Sequence, residues 1–258
     1  MLSKQIKTFF NALPGGHTAT NGIEQPVWEP MTQRFYVSLP EIDGPGDGTG
    51  INGGVARITT GGVVEAVYPV NYMQPAGLTV GPNGDLLVGS NSVFDFSGTK
   101  CSAVVPAPSP TGTDLLGKPL PSSVTPAHPA LCTGIGNPQM AICNPGRGCT
   151  PANGSLVEVA GAGGGDEVWY NSGDGNYYVT AGNNPLGPTF GVIASVVNTL
   201  TQLVPTLAPV PTAVGVHGAG TVHSVAASAL NNHVYVPLPA NTSYPNCAQG
   251  CIAVFSAQ

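Results

Sequence analysis

Asp166-Glu-Val-Trp-Tyr-Asn-Ser-Gly-Asp-Gly-Asn-Tyr-Tyr-Val-Thr-Ala181 reads as one β-hairpin: a short apolar strand, a Gly-Asp-Gly turn, then a strand of aromatic and β-branched residues. The plan recurs three times. Glu24-Gln-Pro-Val-Trp-Glu-Pro30 precedes Arg34-Phe-Tyr-Val-Ser-Leu-Pro40, and Ala76-Gly-Leu-Thr-Val-Gly-Pro82 precedes, across Asn83-Gly84, Asp85-Leu-Leu-Val-Gly-Ser90. His223-Ser-Val-Ala-Ala-Ser-Ala229 precedes His233-Val-Tyr-Val-Pro-Leu238. Glu24, Ala76, Asp166 and His223 head the four units at spacings of 52, 90 and 57 residues, two of which suit a propeller blade of four strands.

The expected fold is therefore all-β, a β-propeller of four-stranded antiparallel blades forming one domain over residues 1–258. Further strands extend the units: Gly54–Ile58 and Val63–Val67 in the first, Phe190–Ala194 and Thr199–Val204 in the third. The fourth has only Cys251–Phe255 after its hairpin, which leaves it one strand short, and Lys4–Phe10 has the character of an outer strand that could complete it. Four blades could close as a small ring, or the chain could be the C-terminal part of a six- or seven-bladed propeller. The long 90-residue interval holds a Cys/Pro-rich insertion, residues 94–152, expected to be a loop pinned by disulfides.

Composition supports this plan and removes several functions. Of 258 residues, 36 are Gly and 26 Pro, and only 8% are charged, too few to clothe long solvated helices. With 41% apolar residues and a net charge of -6, the chain is not disordered by charge repulsion. Seven Lys and Arg make nucleic acid a poor partner, because phosphate binding needs clustered cations. No charged residue follows Asp174, yet Gly191–Val216 is no membrane span, since Asn198, Thr199, Thr201 and Gln202 interrupt it and Pro205, Pro209 and Pro211 follow.

Six cysteines, Cys101, Cys132, Cys143, Cys149, Cys247 and Cys251, form an even set without a C-x-x-C pair, which favours disulfides over zinc or redox chemistry. Cys247 and Cys251 flank a short turn and could pair locally. A secreted or periplasmic location is the expectation. Met1–Phe10 lacks an apolar run of signal-peptide length, so an exported protein would have this chain as its mature part or a fragment. Two sequons, at Asn153 and Asn241, would matter only in a eukaryotic secretory route.

Residues at the start of each innermost strand point to a propeller's axis, so Glu24, Asp166 and His223 are expected to converge there, with Glu167 and Gln25 nearby. Two carboxylates and an imidazole can hold a divalent ion, Zn, Mn or Ca, with Ca the poorest match if the imidazole binds directly. Such an ion acidifies water and polarises an ester carbonyl. His223 and Glu167 are the candidate catalytic groups. The plainer alternative is that the carboxylates accept hydrogen bonds from channel amides and water. His17, His128, His217 and His233 read as loop or strand-end residues without a chemical role. Gly161–Gly165 lacks a P-loop lysine, no G-x-S-x-G elbow exists, and Trp28, Trp169, Tyr170, Tyr177 and Tyr178 read as packing aromatics rather than a carbohydrate platform.

Glu24-Gln-Pro-Val-Trp with Phe35-Tyr36-Val37 resembles the E-G-P-V-W strand of the senescence-marker/gluconolactonase, regucalcin-like, propellers. Pro75-Ala-Gly-Leu-Thr-Val-Gly-Pro-Asn-Gly84 resembles the P-N-G-L strand of that superfamily and of NHL-type propellers. His223-Ser-Val-Ala-Ala, Asn232-His-Val-Tyr-Val-Pro-Leu238 and Gly250-Cys-Ile-Ala-Val-Phe255 look like secreted bacterial lactonase-like propellers. The resemblance implies a divalent metal on the axis, held by Glu24 and by Asp166, and hydrolysis of a lactone. Ala76 stands where the family places a metal-binding Asn, and no Arg matches its substrate-binding position.

Two functions follow as expectations. One is an exported metal-dependent hydrolase of a lactone or small ester. The other is a non-catalytic propeller that binds or self-assembles, its partners being other propeller subunits in a homo-oligomer.

Overall fold

A computed structural model describes residues 10–82, 84–93, 139–142, 155–158, 166–182, 189–196, 199–207, 222–241 and 244–256. All their regular structure is β, and every paired strand is antiparallel. Four sheets follow one another in chain order and none closes on itself. The first is β1 (Pro26–Glu29), β2 (Arg34–Leu39), β3 (Gly54–Ile58) and β4 (Val64–Pro69). The second is β5 (Met73–Val80), β6 (Leu86–Val93), β7 (Gln139–Ile142) and β8 (Ser155–Glu158). The third is β9 (Val168–Asn171), β10 (Asn176–Ala181), β11 (Thr189–Val196) and β12 (Thr199–Leu207). The fourth has three strands, β13 (Ala226–Ala227), β14 (His233–Leu238) and β15 (Cys251–Ser256). The second sheet thus draws β7 from inside the Cys/Pro-rich stretch 94–152. Lys4–Phe9, Cys101, Cys132, Cys143, Cys149, His128, Asn153, Gly161–Gly165 and His217 lie outside the described residues. Among the described residues no helix is long and apolar enough to cross a membrane.

Period-two alternation divides neighbouring side chains between different cores. Tyr36 joins Val55, Tyr68, Leu78, Leu86 and Val88 between the first two sheets, whereas Val37 and Leu39 turn the other way onto Leu13 and Ile42. Leu87 and Tyr177 share the core between the second and third sheets, while Tyr178 packs with Phe190, Val234 and Val236 between the third and fourth. A fully buried side chain of this size contributes about 1.5–3 kcal/mol. The sheets meet through their first two strands: β1 and β2 against β5, β5 and β6 against β9, and β9 against β13.

On the fourth sheet, Cys247 and Cys251 form a disulfide with a Cα separation of 5.0 Å. The sequon residue Asn241 is buried beside it. Its Nδ2 donates to Pro239 O at 2.8 Å and to Cys247 Sγ at 3.0 Å, so the folded chain offers no glycan acceptor there.

One buried anion organises the outer side of the first sheet. Glu41 is fully buried, and its carboxylate accepts from Thr20 Oγ1 at 2.6 Å and from the amides of Gly46, Gly48 and Gly50 at 2.5, 3.1 and 2.9 Å. Burial opposes its ionisation, but the Thr20 hydroxyl and the three amides outweigh burial and hold the carboxyl below the usual range. Nearby, His17 Nδ1 pairs with Asp43, and Thr18 N also donates to that carboxylate, at 2.8 Å. Asp43, Asp47 and Glu65 are likewise lowered, chiefly by hydrogen bonds from His17, Thr49 and Arg34 respectively.

Lowered carboxyls mean that the native chain binds fewer protons than the unfolded one. Their stabilisation is complete above the ordinary carboxylate range and is lost as pH falls through their native values. Thermal midpoints should therefore drop steadily below about pH 4. Glu41→Gln, which turns an acceptor into a donor facing three amides, should cost about 1.5–3 kcal/mol at pH 7 in urea unfolding and flatten the acid limb.

Candidate functional site

The segments that lead into the first strands carry the ionisable groups. Glu24 lies two residues before β1, Asp166 two before β9 with Glu167 following, and His223 three before β13. Backbone bonds fix each one: Glu24 N donates to Ser38 O at 2.9 Å, Asp166 N to Thr180 O at 3.0 Å, and Glu167 N to His223 O at 3.4 Å. Thr180 Oγ1 donates to His223 O at 2.7 Å, so one hydroxyl ties the fourth sheet's leading segment to β10.

Asp166 is held most firmly. Its carbonyl accepts from Gly77 N at 2.7 Å. A Cβ at Gly77 would sit 2.2 Å from that oxygen and one at Gly89 2.1 Å from it, so only glycine fits at either position. The backbone of Asp166 is thereby seated against β5 and β6, which sends its side chain toward the adjacent segments.

There, His223 Nε2 lies 2.7 Å from Asp166 Oδ2; the Asp166 side chain is only 14% exposed and the imidazole 65%. Burial pushes the Asp166 carboxyl up, the positive charge available on His223 opposes this, and the nearby charges of Glu24 and Glu167 add to the rise. The four residues therefore share one electrostatic neighbourhood, with the Asp166–His223 contact at its centre. Ala76, the corresponding residue of the second sheet, is buried and contributes no ligand. Among the described residues no three His, Cys, Asp or Glu side chains stand close enough together to hold a metal ion, and the imidazole Nε2 is engaged with Asp166.

The aromatic residues separate into two kinds. Tyr177 and Tyr178 are buried, and the Tyr178 hydroxyl donates to Asp174 at 2.6 Å, with burial first and this hydrogen bond second pushing its pKa up to about 12. Trp28 and Trp169, by contrast, stay 40% and 38% exposed. They line an open groove of about 580 Å³ formed by β1, β5 and β9, which sequence reading missed. The signal was present in their occurrence at matching positions of the first and third units, but nothing in the sequence says which face of a strand is covered. His17 is engaged with Asp43, and His233 begins β14 beside Tyr235.

No family model and no curated protein matches the chain. Solved structures resemble it weakly. A candidate 6-phosphogluconolactonase from Bacteroides fragilis aligns at 12% identity and TM-score 0.43, over 93% of this chain and 54% of that one. A second, from Bacteroides uniformis, aligns at 10% identity and TM-score 0.40, over 90% of this chain and 67% of the other. The periplasmic gluconolactonase PpgL of Pseudomonas aeruginosa aligns at 13% and 0.33, over 93% and 72%. The chain thus spans about half the length of the first of these structures, and likeness at this level assigns neither a family nor an activity.

The Asp166 seat gives a direct test. Gly77→Ala and Gly89→Ala should each cost about 1–3 kcal/mol in urea unfolding, because β5 or β6 must move away from the Asp166 carbonyl. Ala76→Gly, one residue away, should cost no more than about 1 kcal/mol.

Proposed function

We propose that the chain is a secreted β-propeller, its four sheets serving as blades, that hydrolyses a lactone or small ester at the Asp166–His223 pair. The observation that carries this reading is the 2.7 Å contact between a well-buried carboxylate and a solvent-facing imidazole. A carboxylate on Nε2 keeps the proton on that nitrogen and leaves the Nδ1 lone pair as the base. Nδ1 lies 3.5 Å from Ser224 Oγ, too long a contact to compete strongly with water. In the proposed reaction Nδ1 takes a proton from water as its oxygen attacks the lactone carbonyl. Asp166 stabilises the resulting imidazolium, which returns the proton to the departing ring oxygen. The product is the open hydroxy acid. Glu167, whose backbone holds His223 O, is assigned to orient the attacking water.

As they stand, Glu24, Asp166 and His223 do not lie close enough together to hold Ca, Zn or Mn; the negative charge crowded on Asp166 is what a cation would relieve if the three side chains drew in. Bound there, the ion would supply Lewis acidity toward the carbonyl.

His223→Ala and Asp166→Asn should each lower kcat/KM by about 10²-fold or more across a panel of sugar and aliphatic lactones followed by pH-stat. Unchanged turnover in both variants overturns the hydrolase reading. Dialysis against chelator, followed by addition of Ca, Zn or Mn, reports separately on the ion, with Glu24→Gln expected to weaken its retention.

A second reading, a self-associating module, is favoured by the outer face of the fourth sheet. Ile252 and Val254 on β15 are 64% and 55% exposed, and their register partners are Pro237 and Tyr235 on β14. An apolar strip free of charge is an association surface. If it is used, Ile252→Lys with Val254→Lys should convert an oligomer to a monomer in light-scattering chromatography while leaving lactone turnover intact.

A further inference from the structure

The groove lined by Trp28 and Trp169 lies outside the hydrolytic pair. At about 3.3 Å per strand residue, Trp169 is roughly 10 Å along β9 from Asp166, and Trp28 roughly 13 Å along β1 from Glu24. Its volume of about 580 Å³ is that of a small-molecule site rather than of a packing defect. Two of its rings are held in place: Trp28 packs against Phe35 with ring centroids 4.8 Å apart, and Tyr170, which also lines the groove, packs against Tyr177 at 4.9 Å. The groove therefore presents fixed aromatic faces, which a ligand meets at little cost in side-chain ordering.

Its polar groups are few and placed among the rings. Gln25 Oε1 accepts from Leu78 N at 2.9 Å, which leaves the Nε2 amino group of that amide for a ligand. Thr79 Oγ1 accepts from Tyr170 N at 3.0 Å and keeps its own proton to donate. No Asp, Glu, Lys, Arg or His lines the groove. The neighbouring charge is negative, from Glu24, Asp166 and Glu167, and the two described cations, Arg34 and Arg57, are both paired with Glu65. Anionic ligands, sugar phosphates included, are therefore opposed by charge, and cationic ones find no carboxylate in the groove itself.

Fixed aromatic faces, a free amide, a free hydroxyl and no charge together match one ligand chemistry, a ring with an apolar C–H face and a rim of neutral hydroxyls. We propose that this groove binds a neutral oligosaccharide, with sugar rings stacked on Trp28 and Trp169 and hydroxyls bonded to Gln25 and Thr79. The proposal is independent of the hydrolase reading, because His223 is not among the groove residues.

The test is tryptophan fluorescence and calorimetry on the full chain with neutral malto-, cello-, xylo- and chito-oligosaccharides, a sugar phosphate, and a proline-rich peptide. At least one neutral oligosaccharide should bind with a change in tryptophan emission. Trp169→Ala and Trp28→Ala should each weaken it about tenfold or more, with Trp169→Tyr retaining part of the affinity and circular dichroism unchanged. His223→Ala should bind as well as the wild type, and the sugar phosphate no more tightly than the neutral sugar. The proposal is overturned if no neutral oligosaccharide binds below about 10 mM, if binding survives both alanine variants, or if only the proline-rich peptide shows the tryptophan dependence.

Discussion

The contact between the Asp166 carbonyl and the two glycines opposite it sets the spacing on which the rest depends. Gly77 N donates to that oxygen at 2.7 Å, and Gly77 and Gly89 leave no room for a side chain. Two sheets are thus joined at a separation that only backbone can occupy, with Leu87, Val168 and Tyr177 packing in the same seam. Gly81 belongs to the same seam, since a Cβ there would fall on the Tyr177 hydroxyl. The same seat aims the Asp166 carboxylate away from the seam and toward His223. Structure and site therefore share one constraint: separating the second and third sheets would displace the Asp166 carboxylate from His223.

Burial on both faces explains why so few charges suffice. Successive residues of β2, β6 and β10 enter different cores, as Tyr36 and Val37, Leu86 and Leu87, and Tyr177 and Tyr178 show. Such strands have no solvent face to carry Lys or Glu, and the remaining carboxylates are spent on fixed tasks. Glu41 gathers a glycine-rich loop, Glu29 caps the turn after β1 through Met31 N at 2.8 Å and Thr32 N at 2.6 Å, and Glu65 pairs with both described arginines. Glu41 and Glu29 each have donors that offset their desolvation.

The strands and their order were legible because the four hairpins repeat and their turns carry Gly and Asn at the required places; Asn232, at φ 55, is one such turn residue. The meeting of Asp166 and His223 was legible for the same reason, since equivalent places in a repeat are brought to one end of adjacent strands. The disulfide between Cys247 and Cys251 is the local pairing that their short turn allowed, one of the pairings the sequence left open. What escaped was whatever depends on which partner covers a side chain. Glu41 looks like a surface loop acid until the amides of Gly46, Gly48 and Gly50 are seen to enclose it, and β7 is hidden in a stretch whose composition reads as loop. Trp28 and Trp169 are indistinguishable in sequence from the buried Tyr177 and Tyr178. Alternation assigns a residue to a face, but the sheet-to-sheet packing decides whether that face is filled.

Asp166 differs from Glu41 in how its charge is met. Glu41 has four donors on its carboxylate and is held below the ordinary range, whereas Asp166 has one exposed imidazole and two neighbouring carboxylates, and is pushed above it. A structural anion is expected to be satisfied; an anion left costly by its surroundings lowers stability and persists where another group needs its charge. The glycines that seat Asp166 therefore hold it in a position that electrostatics alone disfavours. That combination, a rigid seat beneath an under-satisfied carboxylate facing an open imidazole, is what distinguishes Asp166 from the well-compensated Glu41 and Glu29.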